Sequence, residues 1–153
     1  MSVRTSRHEY TIKEAAALTG LPASTLRYYE SIGVIASVSR GATSGHRVYD
    51  EDDLDQIMWV ACLAATGMSV SDMRTYVANG RLGPSAAAEQ VELLADQQRR
   101  LASEAQHLVL RQRYVALKID YWHAVAAGDD ARAELLSGEA RQLADQLKRA
   151  GKP

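Results

Sequence analysis

Short apolar stretches at helical spacing alternate with glycine in the first fifty residues, which predicts two short helices joined by a tight turn. Thr11 and Glu14 have the spacing of a capping box, and Gly20 ends the Ala-rich stretch that follows them. A second helix is expected over 23–32, before Gly33. Two short helices joined in this way form a helix-turn-helix. The apolar positions expected in its core are Ile12, Ala15, Ala16, Leu18, Leu21, Leu26 and Ile32.

Two β-prone runs flank a loop rich in glycine and serine, which predicts a β-hairpin. The runs are residues 34–38 and 46–49, and the loop is residues 39–45. Arg47 and Tyr49 alternate on the second run, so we expect them to share one face of a protruding wing.

Two further helices are predicted after the hairpin. Asp50 is expected to cap a third helix that ends at Gly67, because its side chain can accept from free backbone amides at the helix start. Ser69 and Asp72 mark the beginning of a fourth helix, which is expected to stop before the Asn-Gly and Gly-Pro breaks at 79–84.

From residue 85 to about residue 126 nothing interrupts a helix, and apolar residues recur there at seven-residue spacing. Such a seam is typical of a coiled coil. A helix of about forty residues is ~60 Å long, too long to bury its stripe on a small head, so it needs a partner, most simply a second copy. The seam positions are Val91, Leu94, Leu101, Leu108, Val115, Ile119 and Trp122.

The predicted fold class is mainly α, with a winged helix-turn-helix head, a long dimerisation helix that forms an antiparallel coiled coil, and a short C-terminal helix. The predicted organisation is an N-terminal tail at 1–9, a DNA-binding domain at 10–80, a coiled-coil helix at 84–126 and an amphipathic helix at 129–149. A second apolar stripe on the long helix is expected to hold either the head or the final helix; its members are Leu110, Tyr114, Leu117 and Tyr121.

Composition and charge narrow the possible functions. The chain has 153 residues, 46% of them hydrophobic, and a formal net charge of −1, so bulk charge does not indicate nucleic acid. Residues 1–50 nevertheless carry more cations than acids. A local excess of cations is sufficient to attract DNA phosphates, because their electrostatic interaction extends over a Debye length of ~8 Å. The cations are Arg4, Arg7, Lys13, Arg27, Arg40 and Arg47, and the acids are Glu9, Glu14, Glu30 and Asp50.

A single cysteine, Cys62, excludes an internal disulfide framework and a Cys-rich zinc site. We therefore expect a cytoplasmic protein. The start of the chain lacks the apolar run of a signal peptide, and no stretch approaches the ~20 apolar residues of a membrane span.

The second predicted helix carries the side chains best suited to DNA. A recognition helix directs its N-terminal residues toward base edges and its cations and hydroxyls toward phosphates. We expect Ser24 and Thr25 nearest the bases, Arg27 and Tyr28 on the exposed side, and Leu26 in the core. Each exposed residue alone would also fit an ordinary surface helix, but the hydrogen-bond donors on the neighbouring wing favour a DNA-binding face.

Residues 10–77 resemble the DNA-binding head of the MerR family of bacterial regulators. The motifs that carry the resemblance are Thr-Ile-Lys-Glu-Ala-Ala at 11–16, Thr-Leu-Arg-Tyr-Tyr-Glu at 25–30 with Gly33, Gly-His-Arg-Val-Tyr at 45–49, and Gly-Met-Ser at 67–69. The long helix is similar to the antiparallel dimerisation coiled coil of that family.

The resemblance implies a mechanism and a set of partners. Family members bind a promoter palindrome as dimers, and an effector lets the dimer twist and bend the DNA for RNA polymerase, which is control through DNA shape. Carried over to this chain, Arg27 and Tyr28 would contact phosphates from the helix, and Arg47 and Tyr49 from the wing. His46 is also a candidate DNA-binding residue of the wing, but it stands where tyrosine is more usual, so the wing departs from the family pattern.

Two kinds of effector site are suggested by the residues. A subgroup of the family that responds to aldehydes and other electrophiles has a lone cysteine in a place similar to Cys62, and modification of that thiol would repack the head against the long helix. The alternative is a small buried residue, which is common for cysteine. A thiolate metal site is not expected, because the long helix has no cysteine and His107 and His123 are isolated.

An apolar effector pocket is the other possibility, since ligand sites favour aromatic walls. We favour packing of these side chains in the core and the dimer seam instead. The aromatic residues concerned are Trp59, Tyr76, Tyr114, Tyr121 and Trp122.

Other function classes have weaker support. An enzyme is not expected, because the sequence contains no nucleophile–base pair and no phosphate-cradling glycine loop, and no cofactor is expected. An architectural or recombination-accessory protein could use a similar head but needs no long dimerising helix. A coiled-coil adaptor that binds only protein would not need the wing donors.

Overall fold

The structure, a computed structural model, describes residues 8–42 and 44–151. The predicted tail at 1–9 therefore lies mostly outside the described residues, as does Thr43 in the wing loop. Six α-helices, a 3₁₀ turn and a two-stranded sheet are assigned in the described part of the chain. They fall into two compact units, one that extends to Leu94 and one that begins at Ala95.

The helix-turn-helix is formed by α1 (Ile12–Thr19) and α2 (Ala23–Ser31). The Thr11 hydroxyl accepts from the Glu14 amide at 3.2 Å, which fixes the start of α1. Gly20 ends the helix with φ 76°, a left-handed conformation that glycine adopts without strain. These features confirm the predicted start, stop and turn.

Most of the predicted helix-turn-helix core is confirmed. Ala15 and Leu26 are fully buried, and the other predicted positions pack against the same cluster, apart from Leu18. Leu18 is 58% exposed, so its assignment to the core is wrong. Thr19 takes the inward position in that turn instead, because its hydroxyl donates to the Ala15 carbonyl at 2.7 Å and needs no water.

The wing is an antiparallel pair, β1 (Ser39–Arg40) and β2 (Arg47–Val48), in which Arg40 lies opposite Arg47. The hairpin prediction is confirmed, but its first strand begins later than the β-prone run at 34–38. Three apolar residues of that run are buried in the core instead of pairing in the wing: Val34, Ile35 and Val38.

Helices α3 (Glu51–Ala65) and α4 (Val70–Leu82) complete the head. Asp50 and Asp53 form a reciprocal capping box at the start of α3, with bonds of 2.8 and 3.0 Å. The prediction that α4 stops before 79–84 is wrong, because the helix continues through Asn79, which is 8% exposed. Burial outweighs the modest helix propensity of an Asn-Gly pair.

A 3₁₀ turn (Gly83–Ala86) leads into α5 (Ala87–Ala126), the long helix that the sequence predicts. The final helix, α6 (Asp130–Ala150), begins after Gly128, and Asp129 caps it by accepting from the Arg132 amide at 3.1 Å. In the second unit, Leu117 and Tyr121 of α5 pack against a cluster made of Ala124, Ala133 and Leu136. The second apolar stripe therefore contributes to packing with the final helix.

No helix among the described residues combines the length and apolarity that a membrane crossing requires.

Candidate nucleic-acid interface

Helix α2 presents the side chains expected of a recognition helix. Ser24, Arg27 and Tyr28 are exposed, Thr25 is half-buried, and Leu26 is fully buried. The 3.6-residue helical period accounts for this division, since Leu26 and Tyr29 point to the core while Arg27 and Tyr28 lie on the other side. Tyr28 is 52% exposed, which leaves its hydroxyl available to a ligand.

A concave surface of about 440 Å³ lies beside α2, between the start of α1 and the wing. We call it the basic groove, because four cations line it and a single acid, Glu9, accompanies them among its lining residues. Its full lining is Glu9, Tyr10, Thr11, Ile12, Lys13, Arg27, Arg40, Ser44, His46, Arg47 and Val48.

Lys13 and Arg40 belong to the basic groove, although the sequence did not single them out as site residues. The local excess of cations in residues 1–50 was the signal that included them. Their convergence depends on the fold, because Lys13 lies on α1 and Arg40 on β1. The Arg40 Nη1 donates to the Gly45 carbonyl at 3.0 Å, so this side chain folds back along its own wing.

Arg47 lines the basic groove but is paired with an acid of α2. Its Nε donates to the Glu30 Oε2 at 2.8 Å, and the two side chains are 22% and 15% exposed. The guanidinium has further N–H donors beyond the one on Nε. Arg47 can therefore contact a phosphate while it remains bonded to Glu30.

Tyr49 does not lie on the exposed face of the wing, and that prediction is wrong. The residue is completely buried, and its backbone pairs with that of Tyr10 through bonds of 2.8 and 2.9 Å. Within the described part of the chain, its buried hydroxyl has no hydrogen-bond partner. Burial, and then the nearby Glu30 carboxylate, raise the pKa of Tyr49 above 10.0. Period-2 alternation predicts one face for Arg47 and Tyr49, but β2 ends at Val48 and Tyr49 packs in the core.

His46 lies at the rim of the basic groove and is exposed. Its backbone amide donates to the Ser44 hydroxyl at 3.3 Å, which helps to close the wing turn.

Cys62 is an exposed, free thiol on α3. Its exposure contradicts the alternative of a small buried residue. Across residues 8–42 and 44–151, no three His, Cys, Asp or Glu side chains are grouped as metal ligands would be.

Four of the five aromatic residues considered for an effector pocket line two separate grooves, whereas Tyr121 packs against the cluster of the second unit. Trp59 and Tyr76 border a groove of about 440 Å³ in the first unit, between α3 and α4. Tyr114 and Trp122 border another of about 420 Å³ on α5 in the second unit. Trp59 is 68% exposed, so it is not packed in the core of the first unit.

The seven seam positions of α5 are between 39% and 65% exposed. A single chain therefore leaves the heptad stripe uncovered, whereas the stripe that includes Leu117 and Tyr121 is used within the second unit.

Comparisons with known proteins agree with this architecture. Residues 10–80 match the model of the MerR HTH family regulatory protein. The chain is 37% identical over 90 residues to the HTH-type transcriptional regulator AdhR of Bacillus subtilis, covering 59% of this chain and 64% of AdhR. It thus spans less than two thirds of that relative.

Two further similarities extend beyond the head. An uncharacterized HTH-type transcriptional regulator of Haemophilus influenzae is 30% identical over 71% of this chain and 77% of its own length. The crystal structure of HiNmlR, described as a MerR family regulator lacking the sensor domain and bound to promoter DNA, is 27% identical, with a TM-score of 0.63 over 79% of this chain and 96% of that chain. On these matches, the chain belongs to the MerR family of helix-turn-helix regulators.

Proposed function

We propose that this protein is a transcriptional regulator that binds a promoter palindrome as a homodimer and responds to an effector by bending and twisting the DNA. The observation that carries the proposal is the basic groove beside the exposed face of α2. Bases would be read from the first turn of α2 while cations on α1, α2, β1 and β2 hold the phosphates. The promoter-bound HiNmlR structure supports DNA as the partner.

Each DNA contact follows from where its side chain lies. Ser24 and Thr25 occupy the first turn of α2, the part of a recognition helix that approaches base edges. Arg27 and Tyr28 donate to phosphates from the exposed side of the helix. Arg47 and His46 do so from the wing. Tyr49 has a structural role beneath the wing in place of the contact expected from the sequence.

A homodimer is proposed because the seam of α5 is apolar and exposed. Burial of a large apolar side chain contributes about 1.5–3 kcal/mol, so seven such residues offer a strong driving force for association. Two copies of one head would bind the two halves of a palindrome. Action on RNA polymerase through promoter shape is the family mechanism, and a cytoplasmic location accompanies it. An architectural protein or a protein-binding adaptor does not account for both the basic groove and the seam.

The test of DNA binding is the affinity of Arg27→Ala for the duplex that the wild-type protein protects upstream of its gene. Loss of a phosphate contact is expected to weaken binding to all sequences and to reduce the salt slope by about one. Arg74→Ala, which removes an exposed cation of α4, is the matched control. Unchanged affinity of Arg27→Ala would contradict its phosphate contact, and a wild-type protein that protects no duplex would favour the adaptor.

We further propose that Cys62 is the effector-responsive thiol, as in the electrophile-sensing subgroup. Its exposure supports this proposal, since a reagent must reach the sulfur. The native protein should be alkylated by N-ethylmaleimide without denaturant, and modification should alter the protection of promoter DNA. Cys62→Ser should bind DNA and ignore the reagent. A thiol that reacts only after unfolding would contradict this role.

A further inference from the structure

We propose that Glu30 is a positioning residue for DNA binding: its carboxylate holds the Arg47 guanidinium of the wing in a fixed direction toward a phosphate. The inference rests on the proposed DNA-binding function, because Arg47 needs a set direction only if the basic groove receives DNA. Glu30 would then favour DNA binding, although it is an acid beside a surface that binds anions.

The geometry of the pair is that of a directed, charge-assisted hydrogen bond. The Arg47 Nε donates to the Glu30 Oε2 at 2.8 Å, within the range for an N–H donor and a carboxylate. Both side chains are largely removed from solvent, at 22% and 15% exposed, so salt screens the pair less than it screens a surface ion pair. The bond is therefore suited to restrict the rotamers of a long side chain.

The wing is small, so a connection to α2 can affect how its outer part is oriented. Each of its strands has two residues, and a two-stranded hairpin is marginal by itself. The backbone pairing of Tyr10 with Tyr49 fixes only the base of the wing. Farther out, Arg40 bonds to the Gly45 carbonyl within the same hairpin. Glu30 lies near the end of α2 and joins that helix to β2 across seventeen residues of sequence.

A purely electrostatic role and a positioning role predict opposite changes in DNA affinity when Glu30 loses its charge. If Glu30 acts only as a negative charge near phosphates, its removal strengthens DNA binding. If it directs Arg47, its removal weakens binding, because the guanidinium gains freedom that must be lost again in the complex.

The experiment measures the affinity of four proteins for the upstream duplex over a range of salt concentrations: wild type, Glu30→Gln, Arg47→Ala and the double variant. We expect Glu30→Gln to weaken binding about three- to tenfold, a coupling typical of residues in contact. Arg47→Ala should weaken binding and reduce the salt slope by about one. In the Arg47→Ala background, Glu30→Gln should leave binding unchanged or make it tighter.

Glu9→Gln is the matched control, because Glu9 is an exposed carboxylate that lines the same groove. Its neutralisation should strengthen binding, because it removes a negative charge that would face the phosphates. Circular dichroism checks that each variant is folded. If Glu30→Gln is unfolded, Glu30→Asp replaces it: the charge is kept and the reach is shortened, so binding should again weaken.

Glu30→Gln that binds as tightly as wild type or more tightly, or that weakens binding equally with and without Arg47, would overturn the positioning role. That result would leave DNA binding by the wild-type protein intact. A wild-type protein that fails to bind the duplex would instead overturn the proposed function, and the role of Glu30 with it.

Discussion

The two units of this protein treat their apolar residues in opposite ways. In the first unit, apolar side chains from the helix-turn-helix, the segment before the wing, α3 and α4 share one closed core, in which Leu26, Tyr49 and Ile57 are 0–1% exposed. In the second unit, the core cluster consists of two alanines and one leucine, and large residues such as Ile119 and Trp122 are more than half exposed.

This difference separates two roles of hydrophobic pattern. Most apolar positions of the head are buried within one chain, although Leu18 and Trp59 are exposed. Helix α5 has two apolar stripes, of which one packs in the second unit while the heptad seam is uncovered. The uncovered seam therefore indicates a surface for another polypeptide, whereas the exposed polar face of the head indicates a surface for a polar ligand.

The largest effect is expected from charges placed in the seam. Leu101→Asp combined with Leu108→Asp should abolish the dimer, because each leucine lost from a packed interface costs about 2–5 kcal/mol, a combined change of a thousandfold or more in the association constant. Sedimentation equilibrium measures the mass, and circular dichroism should show little loss of helix. Ser103→Asp, on an exposed position outside the seam, is the control. A double variant that still sediments as a dimer would contradict the assignment of the seam.

A core substitution in the head should act on folding and leave association unchanged. Ile57 is 1% exposed, so Ile57→Ala should lower the free energy of unfolding by about 2–5 kcal/mol through lost burial and an internal cavity. Denaturant titration gives the change, and the dimer mass of the folded protein should remain that of wild type. Exposed Met58→Ala, the neighbouring position, should cost much less. Equal losses at the two positions would contradict the closed core.

The capping box of α3 provides a smaller effect. Asp50→Ala removes the acceptor of the 2.8 Å hydrogen bond from the Asp53 backbone amide and should destabilise the head by about 1 kcal/mol.

The Asp53 carboxyl gives a pH-dependent effect. Burial raises the pKa of Asp53 above 3.8, so the carboxyl holds its proton more firmly in the folded state than in the unfolded state. The contribution of Asp53 to stability should therefore fall as pH rises above 3.8, and Asp53→Asn should remove that dependence in denaturant titrations.

The smallest effect is expected at Tyr49. Tyr49→Phe removes a buried hydroxyl with no assigned partner in the described residues, so stability should change by less than about 1 kcal/mol and DNA affinity should be unchanged. The raised pKa of Tyr49 means that wild-type stability falls as pH rises above 10.0, because the unfolded tyrosine ionises first. The phenylalanine variant should lack that loss. A clear drop in the DNA affinity of Tyr49→Phe would contradict this account and would favour a phosphate contact by the Tyr49 hydroxyl.

Local signals in the sequence are sufficient for the starts of α1 and α3, but not for the end of α4. Thr11, Gly20 and Asp50 act through their own backbone neighbours, so their effects could be predicted without a fold. Whether a side chain faces the core also depends on its contacts with residues that are distant in sequence. That is why Tyr49 and Leu18 were assigned to the wrong environments.

The candidate site shows the same division. Helical period and the recognised motif placed Arg27 and Tyr28 on the exposed side of α2, as the structure has them. The contribution of Lys13 and Arg40 to the groove, and the bond between Arg47 and Glu30, join segments that are distant in sequence. Such contacts depend on how the wing folds against the helices, and no local pattern encodes them.

Hydroxyl-radical footprinting of the wild-type protein on the region upstream of its gene tests the division of roles most directly. We expect two protected half-sites related by a palindrome, with centres one helical turn or a multiple of it apart, because two copies of one head would bind together. Protection of a single half-site would contradict the dimer, and no protection at low or moderate salt would contradict regulation of that promoter by the basic groove.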